Sequence, residues 1–139
     1  MSVGTKLLQA AAGNAGEAVY VDDVFSTFLY TGTQSTLAIN NGIDLSGEGG
    51  LTWFKCRNVG MLHNLFDTER GNTQRLDSSG NSAQSAQATG RYPTFTSTGF
   101  TLGADDGGDI NYSGREYVSW TFRKQEKFFD IVTYTGNGT

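Results

Sequence analysis

The chain has 139 residues and a formal net charge of −4, with 10 Lys and Arg residues against 14 Asp and Glu. Its length allows one domain with its own core and a short additional segment. The acidic balance argues against a nucleic-acid partner, because a surface that follows phosphates needs clustered Lys and Arg. Nineteen glycines, a single proline and nine Phe, six Tyr and two Trp residues predict short strands joined by tight turns.

Residues 1–18 predict an N-terminal anchoring segment with a short helix. Thr5 is placed to cap a helix over residues 5–12 and Gly13 to end it. Two turns are marginal in isolation, so we expect the helix to dock on another protein chain. The apolar stripe that would make this contact consists of Leu7, Leu8, Ala11 and Ala12. These first residues lack the apolar stretch of a signal peptide, and no run approaches the 18 apolar residues of a membrane span.

Residues 19–127 predict one all-β domain, an antiparallel β-sandwich or jelly roll of the concanavalin-like kind, because turns recur every 8–12 residues and crossover helices are missing. Apolar residues alternate with period two in each predicted strand. The strands are expected over residues 24–31, 37–39, 51–57, 61–67, 73–76, 94–96, 100–102, 117–123 and 128–135. In the clearest of them, Val118, Trp120 and Phe122 share one face, and we expect this face to be buried with Phe54 and Phe66. Residues 77–90 hold no large apolar side chain, which predicts an exposed loop.

The end of the chain echoes its beginning. Residues 28–33 read Phe-Leu-Tyr-Thr-Gly-Thr and residues 132–137 read Val-Thr-Tyr-Thr-Gly-Asn, so that the two Tyr-Thr-Gly triplets stand 104 positions apart. This spacing is about one small domain and exceeds the periods of solenoid repeats. Residues 128–139 are therefore expected to be the opening strand of a second repeat or the closing strand of the first. The alternative is that the triplet recurs by chance in a β-rich chain.

The single cysteine, Cys56, excludes an intrachain disulfide framework. It shares one predicted face of its strand with Thr52 and Phe54, which predicts a small buried side chain. The other predicted face of this strand holds Leu51, Trp53, Lys55 and Arg57.

Several longer phrases resemble tail-fibre-type proteins of marine bacteriophages, including those of cyanophages, in which such units recur in tandem. These phrases cover residues 21–32, 49–58, 65–71, 99–103, 117–124 and 127–138. A more distant similarity is to the concanavalin/laminin-G-like jelly roll. The resemblance implies a non-enzymatic virion structural protein, commonly a homotrimer, with no catalytic residue to carry over.

Asp105, Asp106 and Asp109 place three carboxylates within five residues on a glycine-rich loop. Calcium takes several oxygen ligands, so this loop is a candidate calcium site, with Asn111 as a further carbonyl donor. The spacing is not that of an EF-hand, and a solvated turn is the alternative. We expect no other cofactor.

Aromatic side chains that stack on sugar rings are the usual basis of glycan recognition. The candidates are Trp53, Tyr92 and Tyr112, together with Tyr117. An acid–base pair at Asp67 and Glu69 near His63 is a further alternative, although the neighbouring arginines favour salt bridges.

These observations predict the N-terminal, virion-attachment part of a phage tail fibre involved in host adhesion, assembled in the host cytoplasm and located in the virion tail. The expected partners are other tail or baseplate proteins and sister subunits of a homotrimer. A lectin-like receptor-binding module that contacts a host surface glycan and a capsid-decorating fibre remain as alternatives.

Overall fold

The computed structural model describes residues 17–139. Two single-turn helices and nine strands are formed in this part of the chain. In chain order they are α1 (Val21–Val24), β1 (Phe25–Thr31), β2 (Leu37–Asn40), α2 (Leu45–Glu48), β3 (Gly50–Cys56), β4 (Asn64–Asp67), β5 (Gln74–Asp77), β6 (Ser85–Ala86), β7 (Thr94–Thr96), β8 (Gly99–Leu102) and β9 (Glu116–Arg123). Neither of the described helices is long or apolar enough to cross a membrane.

The strands form two antiparallel sheets, which confirms the prediction of an all-β sandwich. The large sheet has the order β1-β9-β3-β4-β5-β6 and the small sheet the order β2-β8-β7. β9 is the second strand from one edge of the large sheet, and it pairs with the edge strand β1 on one side (Phe25 opposite Phe122) and with β3 on the other (Trp53 opposite Trp120). The jelly-roll topology stays a prediction.

The core lies between the two sheets and is filled by aliphatic and aromatic side chains. Phe54 is completely buried and meets Phe66 and Phe100 edge to face, with ring centroids 6.1 and 5.2 Å away. Edge-to-face pairs of this kind add about 0.5–1.5 kcal/mol beyond the burial of their area. The cluster is completed by Ile39, Ile43, Leu45, Leu102 and Ile110. Cys56 is a buried free thiol beside this core, as predicted.

The prediction for β9 has the correct period but the wrong face. Tyr117, Ser119 and Thr121 point into the sandwich and are completely buried. Trp120 and Phe122 lie on the opposite, outer side of the sheet, where both are half-buried. Ser119, which stands opposite Phe54, and Thr121 are small because the large rings of Phe54 and Phe100 already occupy this part of the space between the sheets.

Three other predictions concern residues 128–135, 77–90 and 5–12. The strand expected over residues 128–135 is not formed: a turn over residues 126–128 is closed by an isolated bridge between Gln125 and Phe129, and residues 130–139 have no regular secondary structure. The predicted loop over residues 77–90 is exposed at residues 79–86, as expected, but it also contributes the two-residue strand β6. The helix predicted over residues 5–12 lies outside the described residues.

Candidate functional site: the outer face of the large sheet

The side of the large sheet that points away from the core is unusually apolar. We call it the outer face and define it by the outward residues of β1, β9, β3, β4 and β5. Its apolar and central members are Phe25, Thr27, Leu29, Val118, Trp120, Phe122, Leu51, Trp53, Lys55, Leu65 and Leu76, and the strand ends add the polar Thr31, Glu116, Asp67 and Gln74. An antiparallel sheet with one face in solvent normally alternates apolar residues inside with polar residues outside. The outer face does not follow this pattern.

Aromatic contacts run across the outer face from strand to strand. Trp53 and Trp120 stand opposite each other on β3 and β9 and meet edge to face, with centroids 5.4 Å apart. Phe122 contacts Phe25 of β1 at 5.0 Å and is stacked on Phe129 at 5.2 Å. Cross-strand aromatic pairs stabilise a sheet, and here they also fix a rigid apolar surface.

The part of this surface nearest the sheet edge is open to solvent. Leu29, on the edge strand β1, is 58% exposed and Leu76 on β5 is 37% exposed. Val118, which stands between Leu29 of β1 and Lys55 of β3, is only 5% exposed. Exposed apolar surface that is continuous over several strands marks an interaction site more often than a scattered leucine does.

Charge on the outer face is small and locally compensated. The Lys55 ammonium group donates to the Met61 carbonyl at 2.9 Å. At the rim, Arg57 and Glu116 form an exposed ion pair at 3.8 Å. The other acidic residue of the outer face, Asp67 opposite Leu51, is buried and paired with Arg70, so both acidic side chains of this face have a basic partner.

Of the predicted glycan-binding residues, Trp53 belongs to the outer face. Its indole N–H donates to His63 Nδ1 at 3.0 Å, and the His63 ring lies 5.7 Å away. The indole is thus packed by Trp120 on one side and held by His63 on the other. This arrangement leaves a half-buried ring with its single polar group already satisfied.

The other predicted aromatic residues lie in different surroundings. Tyr92 packs against the core and lines a shallow groove of about 350 Å³ beside β7 and β8, with the hydroxyl-bearing Thr36, Thr94 and Thr101. Tyr112 lies under the Arg115 guanidinium, whose carbon is 4.5 Å from the ring centroid. The Tyr92 groove includes neither Trp53 nor Tyr112.

The prediction that Tyr117 is exposed is wrong. Its ring is completely buried and stacks on Tyr30 at 5.3 Å. Its hydroxyl donates to the Gly108 carbonyl at 2.9 Å and accepts from the Tyr112 N–H at 3.0 Å. Burial raises the pKa of Tyr117 to about 12. Tyr117 is a structural residue that ties β9 to the loop above it.

The loop predicted to bind calcium is organised around Asp105. This carboxylate is completely buried and accepts four backbone N–H groups. One oxygen accepts from Gly107 and Gly108 at 3.0 and 3.1 Å, and the other from Ile110 and Asn111 at 2.7 and 3.0 Å. Both oxygens of Asp105 are therefore engaged with the backbone of their own loop.

The two other carboxylates of the loop each face an arginine. Asp106, on the surface, accepts from Arg91 Nε at 2.7 Å, and this hydrogen bond lowers the pKa of Asp106. Asp109 accepts from Arg75 at 3.0 Å, and its burial raises its pKa despite that arginine. Among the described residues no group of three or more His, Cys, Asp or Glu side chains converges in a way that could hold a metal ion.

The two carboxylates of the acid–base alternative, Asp67 and Glu69, also form ion pairs. Asp67 is buried against the Arg70 side chain, which bonds both to it and to the Leu65 carbonyl. Glu69 accepts from Lys124 at 2.7 Å. The neighbouring Arg70 pairs with Asp67, as the sequence indicated, whereas the partner of Glu69 is a lysine distant in sequence.

Sequence reasoning missed the outer face as a continuous surface. Trp53 and Lys55 were placed together correctly, but Trp120 and Phe122 were assigned to the core. The signal that could have revealed the surface is that β1, β3 and β9 each carry large apolar residues on both of their alternating sets. The docking residues Leu7, Leu8, Ala11 and Ala12 lie outside the described residues.

Comparison with known proteins identifies a family but no described relative. The family model of a domain of unknown function, DUF7483, matches residues 21–139. No curated protein and no solved structure matches the chain. The matched range begins at α1 and contains both sheets. Because the match covers most of the chain, the protein belongs to the DUF7483 family.

Proposed function

We propose that this domain is a non-enzymatic structural module of a bacteriophage tail fibre, and that the outer face of its large sheet packs against sister subunits. The observation that carries the proposal is the continuous apolar outer face, in which the Trp53–Trp120 pair at 5.4 Å leads to the 58% exposed Leu29 at the edge strand. The assignment to phage rests on the sequence resemblance alone.

Self-association is the use that best fits the charge of this surface. Two copies of a chain with net charge −4 repel each other, and the repulsion is weakest where acidic side chains are missing. On the outer face the two acidic side chains, Glu116 and Asp67, are each neutralised by an arginine, Arg57 and Arg70, and the repulsion is weak there for the same reason. The assembly we expect is a homotrimer, joined to tail or baseplate proteins and located in the virion tail.

The arrangement of the polar side chains favours a structural role over catalysis. Asp67, Asp105 and Glu69 are each held by an arginine, a backbone turn or a lysine. A general acid or base needs a reachable position and a reacting group in front of it. The most buried carboxylates of this domain instead stabilise its loops.

The mass of the chain in solution tests the proposal. We expect light scattering after size-exclusion chromatography to give an oligomer, and Leu29→Asp to shift it to the monomer, since a charge in an apolar contact is costly to bury. Val59→Asp is the matched control, because Val59 is 41% exposed but lies in the turn after β3. A monomeric unaltered chain at high micromolar concentration, or equal effects of the two substitutions, would contradict self-association. Immunogold labelling of purified virions tests the tail location separately.

A second candidate function is recognition of a host glycan, and the Tyr92 groove favours it. The groove offers a half-buried ring beside several threonine hydroxyls, a combination that can stack on a sugar and bond its hydroxyls. A glycan array with the purified chain tests this function. Binding that is lost in Tyr92→Ala but kept in Tyr112→Ala would place the site in the groove.

A further inference from the structure

Residues 129–136 carry the features by which β1 is held in the sheet. Aligned on the repeated Tyr-Thr-Gly, Phe129 corresponds to Phe25, Tyr134 to Tyr30 and Gly136 to Gly32, at identical spacing. The shared pattern is Phe, four residues, then Tyr-Thr-Gly. It is longer than the triplet alone.

Each of these three positions has a structural task in β1. The Phe25 ring packs on Phe122 of β9 at 5.0 Å. The Tyr30 hydroxyl donates to the Ile110 carbonyl at 2.6 Å, and the Tyr30 ring stacks on Tyr117 of β9. At Gly32 a side chain is impossible without rearrangement, since a Cβ would overlap the Tyr112 carbonyl oxygen. The pattern is thus a fingerprint for the position beside β9.

In their present position, residues 130–136 make no use of this pattern. Tyr134 is 88% exposed and Val132 is 75% exposed. A Cβ added to Gly136 would meet nothing within 4 Å. Neither the tyrosine nor the glycine is needed where it lies.

The segment nevertheless starts next to β9. Phe129 stacks on Phe122 at 5.2 Å, on the same ring that Phe25 contacts. A bridge between Gln125 and Phe129 turns the chain back after the end of β9. If this bridge opens and Phe129 moves by three residues, from Gln125 to Phe122, a strand can run antiparallel along β9 in the direction that β1 takes.

We propose that the edge of β9 that pairs with β1 is a binding site for a strand of this pattern, and that residues 129–136 are a second strand that fits it. In the bound arrangement Phe129 stands opposite Phe122 and Tyr134 opposite Tyr117, the register of β1 shifted by the 104 residues of the repeat. The chain therefore contains two strands for one position. This inference does not depend on the proposed role in a fibre.

β1 occupies the site in the structure because its sequence fits better. Asp130 stands where β1 has Ser26, so a carboxylate would enter the partly buried start of the strand. Val132 replaces Phe28, which packs against the core. Removing β1 from the site should allow the weaker strand to take it.

The test uses the full chain with Gly32→Val, which disables β1, and Gly136→Val, which disables the second strand. Gly136→Val alone should leave the melting temperature within about 1 °C, because Gly136 contacts nothing. In the Gly32→Val chain the second strand takes over, so adding Gly136→Val should lower the melting temperature by a further ~10 °C or more. Equal melting of the single Gly32→Val and double variants would overturn the proposal.

A disulfide reports the exchange directly. In the new register Thr133 stands opposite Val118, so Val118→Cys with Thr133→Cys should crosslink in the Gly32→Val chain and remain reduced in the unaltered background, where Leu29 is opposite Val118. A crosslink within one chain or between two copies supports the proposal, and its lack in folded Gly32→Val protein contradicts it. If Gly32→Val alone does not fold, adding Asp130→Ser and Val132→Phe gives the second strand the residues of β1 and must restore folding. Failure to do so overturns the proposal.

Discussion

Asp105 is the side chain whose loss should cost the most stability for the smallest chemical change. Its carboxylate is completely buried and accepts two backbone N–H groups on each oxygen, from Gly107 and Gly108 and from Ile110 and Asn111. Asp105→Asn keeps the shape but replaces one oxygen by an NH₂ group, which faces two donors. Hydrogen bonds to a charged group contribute about 1.5–3 kcal/mol each, so losing two should cost about 3–6 kcal/mol.

That cost is a large part of the roughly 5–15 kcal/mol by which a domain of this size is stable. Urea unfolding followed by tryptophan fluorescence measures it as a shift of the midpoint at constant slope. Asp106→Asn, one residue away on the surface, is the control and should leave the midpoint unchanged, because an exposed ion pair adds little. A loss below about 1 kcal/mol in Asp105→Asn would refute the reasoning that this carboxylate organises the loop.

Other predictions follow from the burial of individual rings. Phe54→Ala should cost about 3–5 kcal/mol in urea unfolding, whereas Trp120→Ala on the outer face should cost clearly less and reduce the oligomer mass instead; equal costs would return Trp120 to the core. Since burial raises the pKa of Tyr117 to about 12 and that of Tyr30 well above its usual value, the folded protein keeps protons that the unfolded chain loses near pH 10. Stability should therefore be full below pH 10 and fall as the pH rises further, by up to about 1.4 kcal/mol per pH unit for each tyrosine, and a flat urea midpoint between pH 9.5 and 11 would contradict this. Brief proteinase K digestion should cut first within residues 79–84, all of them exposed, as mass spectrometry of the fragments would establish; a first cut inside β3 or β9 would count against that assignment.

The sequence was sufficient for the fold class and most strand positions, because alternation with period two and glycine-rich turns are local signals. It was not sufficient for the orientation of β9. Trp120 and Phe122 are larger and more apolar than Ser119 and Thr121, so their burial was the natural prediction. Which set faces the small sheet depends on the volume that Phe54 and Phe100 already fill, and that is a property of three distant strands together.

The candidate sites were predictable only as residue types. The acidic residues of the calcium hypothesis are adjacent in sequence, yet their side chains diverge toward the backbone, Arg91 and Arg75. Arg75 is 34 positions from Asp109, and no local pattern predicts that contact. In the same way, the alternation within β3 predicted the shared face of Trp53 and Lys55, but only the pairing of β3 with β9 joins them to a larger apolar surface.

The pairing of β1 with β9 also has a consequence for synthesis of the protein on the ribosome. Phe25 of β1 pairs with Phe122 of β9, which is translated much later, and β3 also pairs with β9. With roughly 90 residues between the two strands, translation at about 5–20 residues per second delays their meeting by ~5–20 s. During this interval β1 and β3 have left the ribosome without the strand that separates them, and contacts so distant in sequence form slowly. A nascent chain of this domain should therefore depend on chaperones until β9 emerges, and its yield should respond to the speed of translation more than to changes on its surface.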